Sequence, residues 1–191
     1  MRQRIIAILI AIVAALAVTG TATATASASK AEQQRFIEDA GRNVAPSQEK
    51  YGVPASVAVA QAILESGWGK SDLASGSRNL FGMKCKDRKP GPIATDCVKL
   101  PTSECDKSGC WKTHAWFRVY DQVEDSFADH GLYLSTNERY AKAFDHTADA
   151  DRFIVEVHRA GYATDPKYAD KIIKLMNQYD LYRFNSAESR V

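Results

Sequence analysis

The stretch that most constrains this chain is "VPASVAVAQAILESGWG", Val53 to Gly69. Pro54 suits the first position of a helix, where its missing N–H would have no partner anyway. Val57, Ala60 and Leu64, together with Val59 and Ile63, then cover most of the helix circumference. A helix apolar on nearly every side cannot lie on a surface and has to be enclosed by other elements. Gly67 supplies the stop. The helix therefore ends on a carboxyl group, Glu65, set between an apolar run and a turn rich in Gly and Trp.

Elements able to enclose it flank it on both sides. "AEQQRFIEDAGRNV" reads as a first helix, stopped or bent before Pro46, and "SQEKYG" as a further turn or two ending at Gly52. Residues 85–120 carry most of the strand signal, above all the aromatic and β-branched run "HAWFRVY". Asp121, with Glu124 at the capping-box position, is expected to cap a helix over "QVEDSFADHGLYL". "NERYAKAF" predicts a short helix, and Asp149 a cap for "ADRFIVEVHRAG", ended by Gly161. In "TDPKYADKIIKLMNQY", Asp165 caps, Pro166 follows, and Tyr168, Ile172, Leu175, Met176 and Tyr179 form one stripe. Helices, then a small β segment, then helices describe an α+β protein with a helical lobe, a β lobe and a groove between them.

Glu65 has two reasons to hold its proton. Apolar surroundings disfavour the charged form. The partial negative charge of a helix C-terminus disfavours it again. A carboxylic acid still protonated near neutral pH is suited to protonating a glycosidic oxygen. Gly67 and Gly69 would let a substrate approach, and Trp68 offers a flat face for a sugar ring. Taken alone, Glu65 reads as an ordinary helix-end residue facing water, and only the wider pattern favours the acid.

The wider pattern is specific. "GVPASVAVAQAILESGWGKSDLA…NLFGMK", "FRVYDQVEDSFADH" and "AGYATDPKYADKI" stand in one order from Gly52 to Ile173. In this the chain closely resembles the bacterial glucosaminidase family of peptidoglycan hydrolases, glycoside hydrolase family 73. The resemblance implies a lysozyme-like α+β fold and cleavage of the β-1,4 bond that follows N-acetylglucosamine in peptidoglycan. It places the family's acid on Glu65. It also points to a second carboxylate in a "T-x-E" stretch upstream of "FR-x-Y", which falls on Glu104 in "PTSEC", with Asp87 and Asp96 as competing acids. Tyr162 matches a family tyrosine near the reacting sugar; its alternative is a core tyrosine with a satisfied hydroxyl. Asn79 and Phe81 are expected in the groove wall. Tyr168 joins Trp68, Asn79 and Phe81 as a substrate-binding candidate, although its place on the stripe of the last helix favours the core. Trp111 and Trp116 either extend a sugar platform or fill the β lobe. The rival activities are a muramidase or a lytic transglycosylase, the latter disfavoured because "NLFG" stands where a "GLMQ"-like stretch would be. A non-catalytic wall-binding or assembly protein is the rival of a different class.

The remaining features set the context. Arg2 and Arg4, the apolar run Ile5 to Val18 and the "ASA" at Ala26 to Ala28 describe a secretory signal peptide, too short in its apolar part to span a bilayer. Cleavage after Ala28 would leave a domain over residues 29–185 and a flexible tail over 186–191. The leader holds two Arg and no acid, so the formal charge of +2 belongs to it and the rest of the chain is neutral. A neutral domain has no electrostatic reason to bind nucleic acid or an anionic membrane. The expected partner is the peptidoglycan glycan strand, met by a secreted monomer at the wall. Cys85, Cys97, Cys105 and Cys110 form an even cluster, which in an exported chain reads as two disulfides. Of three pairings, Cys85–Cys97 with Cys105–Cys110 is preferred, because "CDKSGC" has turn chemistry. A zinc site would show closer cysteine pairs. The four His, at 114, 130, 146 and 158, lack metal-type spacing and are read as structural. Neither metal nor cofactor is expected.

Overall fold

The computed structural model describes residues 28–106 and 109–185; for 104–106 and 110 it describes the backbone alone. Helix α1 (Lys30–Tyr51) starts in a capping box, where Ser29 Oγ accepts from the Glu32 N–H and Glu32 accepts from the Ser29 N–H. It buries Ile37, Ala40, Val44, Ser47 and Gln48. Helix α2 (Ala55–Ser66) is the enclosed one, buried from Ala55 through Ile63 and again at Ser66. It packs against α1, α5 (Ala150–Arg159), α6 (Tyr168–Gln178) and a 3₁₀ turn, Leu181–Phe184. Helix α4 (Val123–Thr136) lies along α1. The approach is so close that a Cβ on Gly131 would come within 2.5 Å of Ser47 Oγ. A side chain there would push the two helices apart.

Local expectations fail where distant partners decide. Pro46 does not stop α1, which runs to Tyr51 and ends at Gly52 with φ 74°. Pro46 lacks one helical N–H, a defect worth roughly 3 kcal/mol in isolation. Beyond it Ser47 Oγ donates to the Phe127 carbonyl at 2.8 Å, and Gln48 Oε1 accepts from Ala55 N–H at 2.8 Å. These contacts hold the last turn. Pro54 stands at the N-cap of α2, one position before the expected one. Asp121 does not cap α4. Its carboxylate accepts from Thr95 Oγ1 at 3.1 Å, Gln122 takes the cap position, and no side chain caps the helix. Glu124 is thereby only a first-turn residue. Asp149 does cap α5, accepting from Arg152 N–H at 3.0 Å. Asp165 does not cap α6, and Pro166 is not its first residue: Lys167 takes the cap position with no side-chain bond, while Asp165 accepts from Lys167 N–H at 2.9 Å in the preceding turn. The short helix over "NERYAKAF" is a 3₁₀ segment, Glu138–His146. A further short helix, α3 (Asp72–Ser77), is capped by Ser71.

The β lobe is a single antiparallel hairpin, β1 (Asp96–Asp106) and β2 (Gly109–Val119), paired from Asp96↔Val119 to Asp106↔Gly109. Cys85 and Cys97 form a disulfide. Cys105 stands opposite Cys110 in the register, but their side chains, and so that second bridge, lie outside the described residues. So does the side chain of Glu104, whose backbone faces Trp111. The hairpin's base is fixed to the helical body by charge. Arg118 Nη1 donates to both Asp129 oxygens, at 2.6 and 2.5 Å, and Tyr120 Oη donates to Asp129 at 2.6 Å. The Asp129 side chain is only 1% exposed.

Removing Asp129 would strand the Arg118 guanidinium. Asp129→Ala should therefore destabilise the fold by roughly 3–5 kcal/mol. Asp39→Ala, which breaks the exposed Arg42–Asp39 pair, should change stability by less than about 1 kcal/mol. Urea unfolding of both variants checks the contrast, and equal effects would show that Asp129 does not anchor the hairpin.

Candidate active site

The string after α2 is a tight reversal built by Ser66. Its Oγ donates to the Ala62 carbonyl at 2.5 Å and accepts from Gly69 N–H at 2.8 Å. Gly67, Trp68 and Gly69 all take left-handed backbone, with φ of 58°, 65° and 73°. That conformation is unfavourable for Trp68, and its ring is held edge-to-face by Phe36 at 6.2 Å and Tyr179 at 5.0 Å. Trp68 is thus half-buried between α1 and α6. Gly69 is needed for packing rather than for access, since a Cβ there would meet Phe36 at 2.9 Å. At Gly67 a Cβ would meet nothing within 4 Å, so that position is open.

Glu65 is half-buried on the last turn of α2. Its carboxyl pKa is raised from 4.5 to about 7, chiefly because burial disfavours the anion. A hydrogen bond from Tyr168 Oη to Glu65 Oε1, 2.9 Å long, pulls the other way but does not win. Tyr168 in turn accepts from Gln61 Nε2 at 3.0 Å. The Tyr162 ring lies 5.6 Å from that of Tyr168, and the Tyr162 hydroxyl is hydrogen-bonded to His130 Nε2 at 3.2 Å. Phe81 stacks on His130 at 4.0 Å, 11° from parallel. Burial holds His130 neutral, its pKa lowered to about 3. Burial, with the Glu65 charge second, raises both tyrosine pKa values well above the usual range.

The structure therefore gathers Glu65, Tyr168, Tyr162 and Phe81 into one file, joined by Gln61 and His130. Phe81, Tyr162 and Tyr168 are buried in it. Asn79 is also buried: it donates to the Met83 and Arg118 carbonyls and accepts from Met83 N–H, each at 2.9 Å. Its hydrogen-bonding capacity is spent on fixing the "NLFGM" turn to the root of β2. Asp87 and Asp96 are exposed in the β lobe, with Asp96 accepting from Cys97 N–H at 2.7 Å. Trp111 is exposed, while Trp116 is half-buried with Arg88 over its ring at 5.3 Å. Two members of the file escaped the sequence reading. Gln61 carries a signal, being the one amide in a mostly apolar helix and one turn before Glu65. His130 carries none beyond its type. Among the described residues no three His, Cys, Asp or Glu side chains converge as a metal site, and no helix is long and apolar enough to cross a membrane.

Comparison with known proteins agrees with this geometry. Residues 41–181 match the glucosaminidase family model, described as mannosyl-glycoprotein endo-β-N-acetylglucosaminidase. The chain belongs to the glucosaminidase family. It is 42% identical over 157 residues to the peptidoglycan hydrolase FlgJ of Pseudomonas aeruginosa, covering 80% of this chain and 38% of that protein. It is 35% identical over 158 residues to the exo-glucosaminidase LytG of Bacillus subtilis, covering 81% and 54%. The chain thus spans about half or less of these relatives' length. The catalytic domain of the autolysin Auto from Listeria monocytogenes superposes with a TM-score of 0.70 at 29% identity, covering 85% of this chain and 92% of that one. The lysozyme-like α+β architecture of the glucosaminidase family is therefore the architecture of this chain.

The raised Glu65 pKa has a consequence for stability. Between pH 4.5 and about 7 the folded protein keeps a proton that the unfolded chain releases, so stability falls across that window and levels off above it. Glu65→Gln removes the effect. The variant should match wild type near pH 4 and exceed it at pH 8 by on the order of 2–3 kcal/mol. Denaturant unfolding at both pH values checks this; parallel stabilities would mean that Glu65 titrates as an exposed carboxyl.

Proposed function

We propose that this protein is an endo-acting β-N-acetylglucosaminidase that hydrolyses the β-1,4 bond after N-acetylglucosamine in peptidoglycan, with Glu65 as general acid. The observation that carries the reading is a carboxyl group held protonated up to about pH 7 at the end of a buried helix, in a chain of the glucosaminidase family. Glu65 gives its proton to the glycosidic oxygen as the bond to the anomeric carbon breaks. Water then adds to that carbon, and the water's proton returns the site to its starting state. Glu104 is the proposed second carboxylate, the group that activates this water or attacks the sugar itself. Asn79 and Phe81 act from beneath the groove by holding its wall, and Trp68 and Trp111 supply aromatic surface. Tyr162 acts from beneath the reacting sugar through its contacts with Tyr168 and His130. The substrate lies outside the cytoplasm, and residues 1–28 serve as the export signal; residues 1–27 and the proposed tail at 186–191 lie outside the described residues.

Digestion of purified peptidoglycan tests the bond. New reducing ends of N-acetylglucosamine are expected; N-acetylmuramic acid ends would make the enzyme a muramidase, and anhydro ends a lytic transglycosylase. Glu65→Gln should fold and lose at least about 100-fold in turnover, and near-normal turnover would remove Glu65 from the chemistry. Glu104→Gln should lose more activity than Asp87→Asn or Asp96→Asn, and a greater loss at either aspartate would move the second carboxylate there.

A further inference from the structure

We infer that Gln61 and Tyr168 are positioning residues that fix which oxygen of Glu65 carries the acid proton. The inference rests on the reading of Glu65 as the general acid. Three hydrogen-bonding groups stand in line on α2 and α6. Gln61 Nε2 donates to Tyr168 Oη at 3.0 Å, and Tyr168 Oη donates to Glu65 Oε1 at 2.9 Å. A phenol has one proton to give. With an amide N–H occupying a lone pair of the Tyr168 oxygen, that proton is directed to Glu65. Oε1 is thereby engaged as an acceptor, and the proton of the neutral carboxyl is left on Oε2.

The chemistry of Gln61 supports a functional rather than a packing role. Its residue is fully buried, yet Oε1 has no hydrogen-bond partner among the described residues. An unsatisfied buried carbonyl is unfavourable, and an apolar side chain of the same length would fill the site without that defect. Such local violations concentrate where function requires them. The groups that act electrostatically on the pair are few. Tyr168 and Tyr162 face Glu65, and His158 on α5 places its ring 5.8 Å from that of Tyr168. His130 on α4 reaches Tyr162.

The experiment compares Tyr168→Phe, Gln61→Met and the double variant in the full chain, with muropeptide release from purified peptidoglycan as the assay. Activity requires protonated Glu65, so kcat/KM should fall as pH rises through about 7. Loss of the Tyr168 donor removes a group that favours the anion, so the falling limb should move up by about 1 pH unit. Gln61→Met should move it the same way by less, with kcat down about tenfold and KM near wild type. The double variant should move it no further than Tyr168→Phe, because Gln61 acts through Tyr168. Gln61→Met should also melt no lower than wild type. His158→Gln should leave the limb in place. A fixed limb in folded Tyr168→Phe and Gln61→Met would overturn the inference. So would lower thermal stability with KM and kcat changed together in Gln61→Met, the signature of mere packing, or a limb that disappears in His158→Gln. If Tyr168→Phe does not fold, Gln61→Met decides alone. Glu65→Gln separates this inference from the one beneath it. An active Glu65→Gln overturns the acid assignment itself, whereas an inactive one with an unmoved limb in the other variants overturns the positioning roles alone.

Discussion

The burial of α2 is the constraint on which the rest of the structure depends. Val57, Val59 and Ile63 are sealed from water, and the small residues between them let α1, α5 and α6 approach. Each fully buried Val or Ile side chain contributes about 1.5–3 kcal/mol. Placing a carboxyl group at the end of such a helix works against this, since burial disfavours the Glu65 anion by on the order of 3 kcal/mol relative to an exposed carboxylate. The core is large enough to carry that opposition. The same packing that stabilises the fold therefore creates the unusual acid, and neither can be altered without the other.

The groove needs a second wall, and the hairpin cannot supply one by burial. Phe117 is its only buried large side chain among the described residues, and it is not sealed completely. Directional interactions substitute for a core. Arg118 and Tyr120 converge on Asp129, Asn79 ties the "NLFGM" turn to the Arg118 carbonyl, and Leu80 N–H donates to Ser126 Oγ at 3.1 Å. The Cys85–Cys97 disulfide closes the loop beside them. A buried ion pair is weak evidence for net stability against an apolar alternative. Here it sets one orientation of the hairpin against α4, which a greasy contact would not.

Much of this was legible in the sequence because it is local or strongly periodic. The all-round apolar pattern of α2, the stop at Gly67, the Asp149 cap and the stripe of α6 each follow from residue type and spacing. Glu65 was legible for the same reason, as a carboxyl group at the exit of an apolar helix. What was hidden depends on partners far away in the chain. Pro46 continues its helix because Phe127 and Ala55 take up Ser47 and Gln48. Asp121 forgoes its cap because Thr95 reaches it first. Tyr168 looked like either core or groove and is a buried residue whose one polar atom touches Glu65. Gln61 and His130 acquire meaning only through Tyr168 and Tyr162, about a hundred and about thirty residues away.

Everything proposed for Glu65 requires that a large share of it is still neutral near pH 7. Carbon-13 NMR reads this directly, from the side-chain carboxyl shift of Glu65 followed across pH in the full chain and assigned by its disappearance in Glu65→Gln. The account predicts a titration midpoint at about 7, well apart from the other carboxyl groups. A midpoint near 4.5, the ordinary value, would show that the buried helix leaves Glu65 an anion and would contradict its proposed role as the acid.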